Sequence, residues 1–206
     1  KVTEEKDGKI INHLNEAYAI GGLDTGVTTL QMAAAYAAFA SGGYYVEPYT
    51  VTKIEYRETG EIEELEHKRE QVMKPSTAFL MNNVLEYAVN YGFNGGAKVN
   101  GSHVAAKTGT SNYDSATMER EKLPYNAVND LWTVAYTSKY SMALWYGYDE
   151  ISNEYYNTGG SPKDRAVAAV MKYIPKDTKG FEIPSDVVQS EVEFGTWPAQ
   201  VPSDYT

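Results

Sequence analysis

The longest apolar stretch of the chain predicts a buried helix. Residues 30–40 are apolar on nearly every side of a helical wheel, a pattern typical of a helix covered by other elements. Thr28 and Gln31 have the spacing of a capping box, in which each side chain bonds the backbone of the other residue. Gly42 and Gly43 follow, and glycine readily adopts the left-handed conformation that ends helices. We therefore expect a helix from about residue 29 to residue 40.

Two later segments also have helical spacing. Pro75 is suited to the first turn of a helix, and the apolar stripe behind it predicts a helix to about Val89. A shorter run at residues 164–174 predicts a third helix.

Strand patterns occur between and after these helices. Residues 49–56 and 61–65 predict a hairpin that turns at Thr59-Gly60, with an acidic, solvated edge. Residues 131–136 and 140–148 predict a second hairpin with a tight turn. The polar residues 112–129 form a connection of unusual length before that hairpin.

Composition and charge narrow the class of protein. A length of 206 residues fits one domain, and a formal charge of -10 argues against a nucleic-acid-binding surface. The chain has no cysteine, and no apolar run approaches the 18 residues of a membrane span, so we expect no membrane contact from this segment. Because it begins without Met, we expect a fragment or a processed product.

The stretch Lys107-Thr108-Gly109-Thr110 is the strongest candidate for chemistry. It follows an apolar run and precedes polar residues, which predicts the end of an edge strand that opens onto a loop. K-T-G is one of three sequence elements of serine-acylating, penicillin-recognising enzymes. The other two are absent, since no Ser is followed three positions later by Lys and no Ser-x-Asn occurs. We expect this chain to form one wall of an active site whose nucleophile lies elsewhere.

The order of these motifs resembles the C-terminal half of the transpeptidase domain of class A (bifunctional) penicillin-binding proteins. The resemblance covers roughly residues 10 to 195 and rests on four segments: 30–48, 107–110, 130–137 and 143–149. Thr133 and Ala135 stand where the family usually has Phe and Gly, which we expect to alter packing and not chemistry.

The resemblance implies a mixed α/β fold, with an antiparallel sheet and flanking helices. This is the serine β-lactamase/transpeptidase-like fold, and we expect it to be incomplete in this chain. Residues 1–175 would form the C-terminal half of the transpeptidase domain. Residues 176–206 would form a tail or linker, with Trp197 as its only large anchor.

The resemblance also implies a function. A peptidoglycan D,D-transpeptidase cross-links the cell wall by serine acyl transfer, needs no cofactor and is the target of β-lactams. Its partners would be peptidoglycan stem peptides, β-lactam antibiotics and the upstream, nucleophile-bearing part of the same protein. Its place would be the extracytoplasmic face of a bacterial membrane, with the parent protein anchored by an N-terminal transmembrane helix. The fragment alone would be inactive.

The chemistry of the substrate gives each residue of the motif an expected role. Lys107 supplies a cation for the terminal carboxylate, and the hydroxyl of Thr108 or Thr110 orients that carboxylate. Gly109 leaves room for an extended substrate to approach the backbone as an added strand. We expect no metal site, because the three histidines are scattered along the chain: His13, His67 and His103.

Two alternatives remain open at this point. A non-catalytic module would bind a peptide carboxylate or a partner protein in the same cleft, and a serine β-lactamase would hydrolyse β-lactams. The paired motifs of residues 130–137 and 143–149 favour the penicillin-binding protein over the β-lactamase. A Ser-x-x-Lys upstream of Lys1 would favour the enzyme over the module.

Overall fold

The structure is a computed structural model that describes residues 3–12, 16–22, 26–159 and 163–202. The four α-helices of this part are α1 (Thr29–Ala40), α2 (Pro75–Asn90), α3 (Ser115–Arg120) and α4 (Lys163–Met171). The strands are β1 (Thr3–Lys6), β2 (Lys9–Asn12), β3 (Tyr44–Val46), β4 (Lys53–Glu55), β5 (Ile62–Glu64), β6 (Arg69–Gln71), β7 (Ala105–Asn112), β8 (Ala127–Tyr136), β9 (Ser141–Tyr146) and β10 (Asn157–Thr158). Short 3-10 helices occupy Glu16–Ile20 and Gly95–Ala97.

An antiparallel sheet forms the centre of the described part of the chain. β8 pairs with β7 on one side and with β9 and β10 on the other. The second predicted hairpin is thus confirmed, although its first strand begins four residues earlier than expected. Three small hairpins or strand pairs lie outside this sheet: β1 with β2, β3 with β6, and β4 with β5.

Helices cover both faces of the sheet, because successive residues of a strand point to opposite sides. On one face, Tyr136 and Ala105 are buried against residues of α1 and α2. On the other face, Ala135 and Ala106 pack against Val167 and other residues of α4. The predicted mixed α/β class with an antiparallel sheet and flanking helices is confirmed.

Helix α1 begins as the sequence predicts but is less buried than expected. Thr28 accepts a hydrogen bond from the backbone N–H of Gln31, and Gln31 Oε1 accepts one from the Thr28 N–H. Gly42 and Gly43 have φ angles of 70° and 90° just after the helix. The prediction of a helix buried on all sides was wrong, since Ala38 is its one buried residue. The helix contacts the sheet, α2 and β3, and most of its other residues are half-buried, with Thr29, Leu30, Gln31 and Ala35 exposed.

The acidic hairpin and the second helix agree with the sequence patterns. β4 and β5 are shorter than predicted, and all six of their residues are exposed, as expected of a solvated edge. α2 matches its predicted span to within one residue. The long polar connection is reduced, because β7 extends to residue 112, β8 starts at residue 127 and α3 lies between them.

Two of the three histidines contact other side chains of the described chain. His67 stacks on Tyr49, with ring centroids 3.4 Å apart, and His103 Nδ1 lies 2.5 Å from Glu86 Oε1. His13 lies outside the described residues. Within the described ranges, no helix is long and apolar enough to span a bilayer.

The C-terminal tail is attached through a different residue from the one predicted. Trp197 is 96% exposed, so the expectation that it anchors the tail was wrong. Asp177 is buried instead, and its carboxylate accepts backbone hydrogen bonds from Ser138, Lys179 and Gly180. Phe181, which follows Asp177 in the tail, packs on Tyr136 of β8, with ring centroids 5.6 Å apart. The boundary at residue 175 between domain and tail stays a prediction.

Replacing Asp177 with Ala is expected to lower the free energy of unfolding by about 2–3 kcal/mol, because three backbone N–H groups lose a charged acceptor. Burial raises the pKa of this carboxyl, but the bonds from Ser138, Gly180 and Lys179 outweigh it and hold the pKa below its usual value. The contribution is therefore present above the unfolded pKa of about 3.9 and is lost as the pH falls through the lower folded value. Urea unfolding at pH 7 and pH 3 measures both effects. Asp186→Ala, in the exposed part of the tail, is the control, and equal losses in the two variants would contradict the assignment.

Candidate active site

The K-T-G residues lie within an edge strand and not at its end. β7 pairs with β8 along one side only, and no other described strand pairs with its opposite edge. Lys107 is the third of eight residues in this strand, which continues through Asn112. The edge location agrees with the sequence pattern, and the predicted strand end was wrong. A free edge presents unpaired backbone N–H and C=O groups, which an extended peptide can pair with.

The pleat divides the four residues between the two faces of β7. Lys107 lies opposite Val134 and Gly109 opposite Trp132, so these two share one face of the sheet. Thr108 and Thr110 lie on the other face. The side chain of Lys107 is exposed, and its Nζ donates a hydrogen bond to the Thr108 carbonyl at 2.7 Å.

A cavity of about 1140 Å³ runs along this edge and is lined by all four residues of the motif. Its other walls come from the segment before α1, from one side of α1, and from the sheet. Trp132 and Trp145 provide the largest aromatic surfaces, and Met32 and Tyr36 close the cavity from α1. The side of α1 that lines the cavity is thus the side that faces the sheet, since Tyr36 also packs on Tyr136.

Asn94 supports β7 through hydrogen bonds to two of its residues. The sequence patterns did not predict this role. Its Nδ2 donates to the Ala106 carbonyl at 2.8 Å, and its Oδ1 accepts a bond from the Thr108 hydroxyl at 3.3 Å. The Asn94 side chain is buried. The sequence shows only a glycine-rich break at this point, and no local pattern connects it with β7.

Replacing Asn94 with Ala is expected to destabilise the fold by about 1–3 kcal/mol, because the buried Ala106 carbonyl loses its donor and the Thr108 hydroxyl loses its acceptor. Thermal unfolding of the variant measures the change. Asn153→Ala, at an exposed loop position, provides the baseline for loss of an amide. A midpoint for Asn94→Ala no lower than that of the control would show that these bonds do not support β7.

Asp130 organises the far end of the cavity. Its Oδ2 accepts hydrogen bonds from Ser111 Oγ at 2.5 Å and from Asn129 Nδ2 at 3.1 Å, and its Oδ1 accepts one from Trp145 Nε1 at 2.7 Å. The pKa of the nearby Tyr113 hydroxyl is raised, first by burial and then by the negative charge of Asp130. From the sequence, Asp130 is expected only as the first residue of the strand at 130–137, so its hydrogen bonds to Ser111 and Trp145 were missed.

The departures at positions 133 and 135 affect packing on the opposite face. Thr133 is fully buried and donates a hydrogen bond to Asp164 Oδ1 at 2.6 Å, which ties β8 to α4. Ala135 is fully buried in the core beside α4. Neither residue lines the cavity, so both substitutions lie away from the candidate site.

Comparison with known families identifies this arrangement. Residues 1–172 match the model of the penicillin binding protein transpeptidase domain. The chain belongs to this family. The expected family resemblance is therefore confirmed.

Similar proteins of known sequence agree with this assignment. The chain is 35% identical over 197 residues to penicillin-binding protein 1A/1B of Bacillus subtilis, which covers 92% of this chain and 21% of that protein. It is 34% identical to penicillin-binding protein 1A of Streptococcus oralis, over 74% of this chain and 24% of that protein. The chain thus spans about a quarter or less of these relatives. Their names agree with the expected class A type.

Solved structures share the fold. Penicillin-binding protein PBPA from Mycobacterium tuberculosis superposes with a TM-score of 0.53 at 22% identity, over 74% of this chain and 34% of that one. A D,D-transpeptidase domain from Eggerthella lenta gives a TM-score of 0.52 at 23% identity, over 71% of this chain and 31% of that one. An imipenem acyl-enzyme complex of the M. tuberculosis protein gives a TM-score of 0.52 at 21% identity, over 75% of this chain and 32% of that one. At these identities the superpositions establish the fold alone.

Proposed function

We propose that this chain is part of a peptidoglycan D,D-transpeptidase, in which β7 binds the D-Ala-D-Ala end of a stem peptide. The observation that carries the proposal is the position of Lys107 on a free strand edge beside a large cavity, in a chain of the penicillin-binding transpeptidase family. The same cleft would bind β-lactams, which imitate the D-Ala-D-Ala amide.

Lys107 is suited to hold the terminal carboxylate. It is the one cation among the described residues that line the cavity. Its Nζ donates a hydrogen bond to the carbonyl oxygen of the next residue, Thr108. When a ligand binds, a carboxylate would replace this neutral acceptor. The lysine ammonium is attracted more strongly by the full negative charge of a carboxylate than by the partial charge of a carbonyl oxygen.

Thr110 is the better-placed hydroxyl of the motif. The Thr108 hydroxyl already donates to Asn94, whereas that of Thr110 is exposed and bonds none of the described residues. Gly109 adds no side chain to the strand edge, so a substrate backbone can approach closely. Backbone N–H groups of this exposed edge would also be available to stabilise the oxyanion of an acyl-transfer intermediate.

The proposed reaction proceeds in two steps. A serine hydroxyl attacks the amide carbonyl between the last two D-alanines, the C–N bond breaks, and the terminal D-alanine leaves with a proton. The resulting ester is then attacked by the amino group of a second stem, and the serine leaves with its proton restored. Two moderate barriers replace one high barrier, which is the advantage of covalent catalysis. We place the serine in a part of the protein outside these residues, because no Ser-x-x-Lys occurs here.

Peptidoglycan and its stem peptides lie outside the bacterial membrane, so we place the protein at the extracytoplasmic face.

The test of the proposed function is carried out on the intact protein, meaning the natural chain that contains this sequence and its nucleophile. Fluorescent penicillin should label it covalently, and incubation with a D-Ala-D-Ala-terminated stem peptide should release D-alanine. Penicillin binding without a covalent label would favour a non-catalytic module. Rapid hydrolysis of the label would favour a β-lactamase.

A further inference from the structure

The two charged residues of the cavity lie at separate places along its length. Among the described lining residues, Lys107 is the one cation and Asp130 the one carboxylate. Asp130 lies opposite Ser111 in the strand register, and Ser111 is four residues beyond Lys107 on the same face of β7. At the rise of a β-strand, this spacing corresponds to about 13 Å. The cavity is therefore suited to a ligand with a carboxylate at one end and a cation at the other.

Asp130 is held in place but keeps capacity for a ligand. Trp145 Nε1 and Ser111 Oγ fix one carboxylate oxygen each, and Oδ1 accepts only the bond from Trp145. Trp145 is itself confined, because a Cβ at Gly147 would lie 2.1 Å from its ring. Within the described part of the chain, no Lys, Arg or His forms an ion pair with Asp130. Its charge is thus fixed at the cavity wall without a cationic partner.

We propose that Asp130 determines specificity by binding the side-chain ammonium of an amino-bearing residue in the donor stem peptide. This inference rests on the proposed function, and it names the part of the substrate that is recognised beyond D-Ala-D-Ala. The stem must carry such a group, because a second stem of the same polymer supplies the amine that accepts the acyl chain. An uncapped amino group on the donor would therefore be present at this end of the cleft.

The dimensions of an extended donor fit this arrangement. With its carboxylate at Lys107, the donor runs antiparallel to β7 and reaches toward Ser111. The last two residues span about 7 Å of extended chain, and a lysine-like side chain on the residue before them covers most of the remaining distance. Trp132 lies between the two charges, where its indole can cover the methylene groups of that side chain.

The experiment compares two penicillins on the intact protein. Both carry the same aminoalkyl acyl side chain, which ends in a free ammonium in one and in an acetylated, neutral amine in the other. The measurement is the second-order rate constant of acylation for each compound. We expect the free-ammonium compound to react about tenfold faster, which is the ratio given by one charge-assisted contact of about 1.4 kcal/mol.

The variant Asp130→Asn separates recognition from structure. The ratio of the two rates should fall to about one, because the amide keeps the shape of the side chain and loses its charge. Asp149→Asn, an exposed carboxylate outside the cavity, should keep the tenfold ratio. A purely structural Asp130 would slow both compounds equally and leave the ratio unchanged, which would overturn the inference.

The same measurements distinguish the inference from the function on which it rests. Equal acylation of the wild-type protein by both compounds would overturn the role of Asp130 and leave the transpeptidase proposal intact. No acylation by either compound would overturn both.

Discussion

The 206-residue chain on its own is expected to form no covalent adduct with penicillin. Acylation needs a serine activated by a nearby base, and the sequence has no Ser-x-x-Lys. Ser111, the serine that lines the cavity, donates its hydrogen bond to the Asp130 carboxylate and is held in the strand. The expected loss of activity is therefore complete and not partial.

Denaturing electrophoresis after incubation with a fluorescent penicillin measures this directly. The intact protein is the positive control, and circular dichroism shows whether the isolated chain is folded. A labelled band at 22.9 kDa from folded chain would mean that the nucleophile lies within these residues. Such a result would contradict the placement of the serine elsewhere.

In the intact protein, Lys107→Ala is expected to slow acylation by penicillin about ten- to a hundredfold. The variant removes the one cation among the described cavity residues, and a charge-assisted contact to a carboxylate contributes roughly 1.5–3 kcal/mol. Each 1.4 kcal/mol corresponds to a factor of ten in rate. The second-order rate constant of acylation is the quantity to measure.

Two further variants separate charge, geometry and stability. Lys107→Arg keeps the charge on a broader, planar group and should be intermediate at best. Lys139→Ala, in the exposed turn between β8 and β9, should leave the rate unchanged. The thermal midpoint of Lys107→Ala should stay near that of the wild type, because the side chain is exposed. A slowed rate with a much lower midpoint would mean that Lys107 is structural.

Local sequence patterns predicted the elements of the fold well. Helix starts depend on local signals, such as the capping box at Thr28 and Gln31 and the proline at position 75. The two helix starts could therefore be inferred without knowledge of the fold. The hairpin of β8 and β9 followed from two apolar runs and a short turn. The burial of α1 could not be inferred, because it depends on which elements pack against the helix.

The lengths of β7 and β8 depend on contacts between residues that are far apart in the sequence. Residues 127–129 belong to the predicted polar connection, yet they continue β8, and the polar side chain of the next residue, Asp130, accepts hydrogen bonds from Ser111 and Trp145. This pairing in turn extends β7 beyond the K-T-G. Asn94 and Asp177 bond residues that are 12 and 39 positions away, so no local pattern could reveal their roles.

The most direct test of the account is a crystal structure of the intact protein acylated by benzylpenicillin. We expect the ligand carboxylate within about 3.5 Å of the Lys107 or Thr110 side chain, with the acyl chain along the free edge of β7. An acylated serine whose ligand carboxylate lies away from β7 would contradict the assignment of Lys107, Gly109 and Thr110 as the substrate-binding wall.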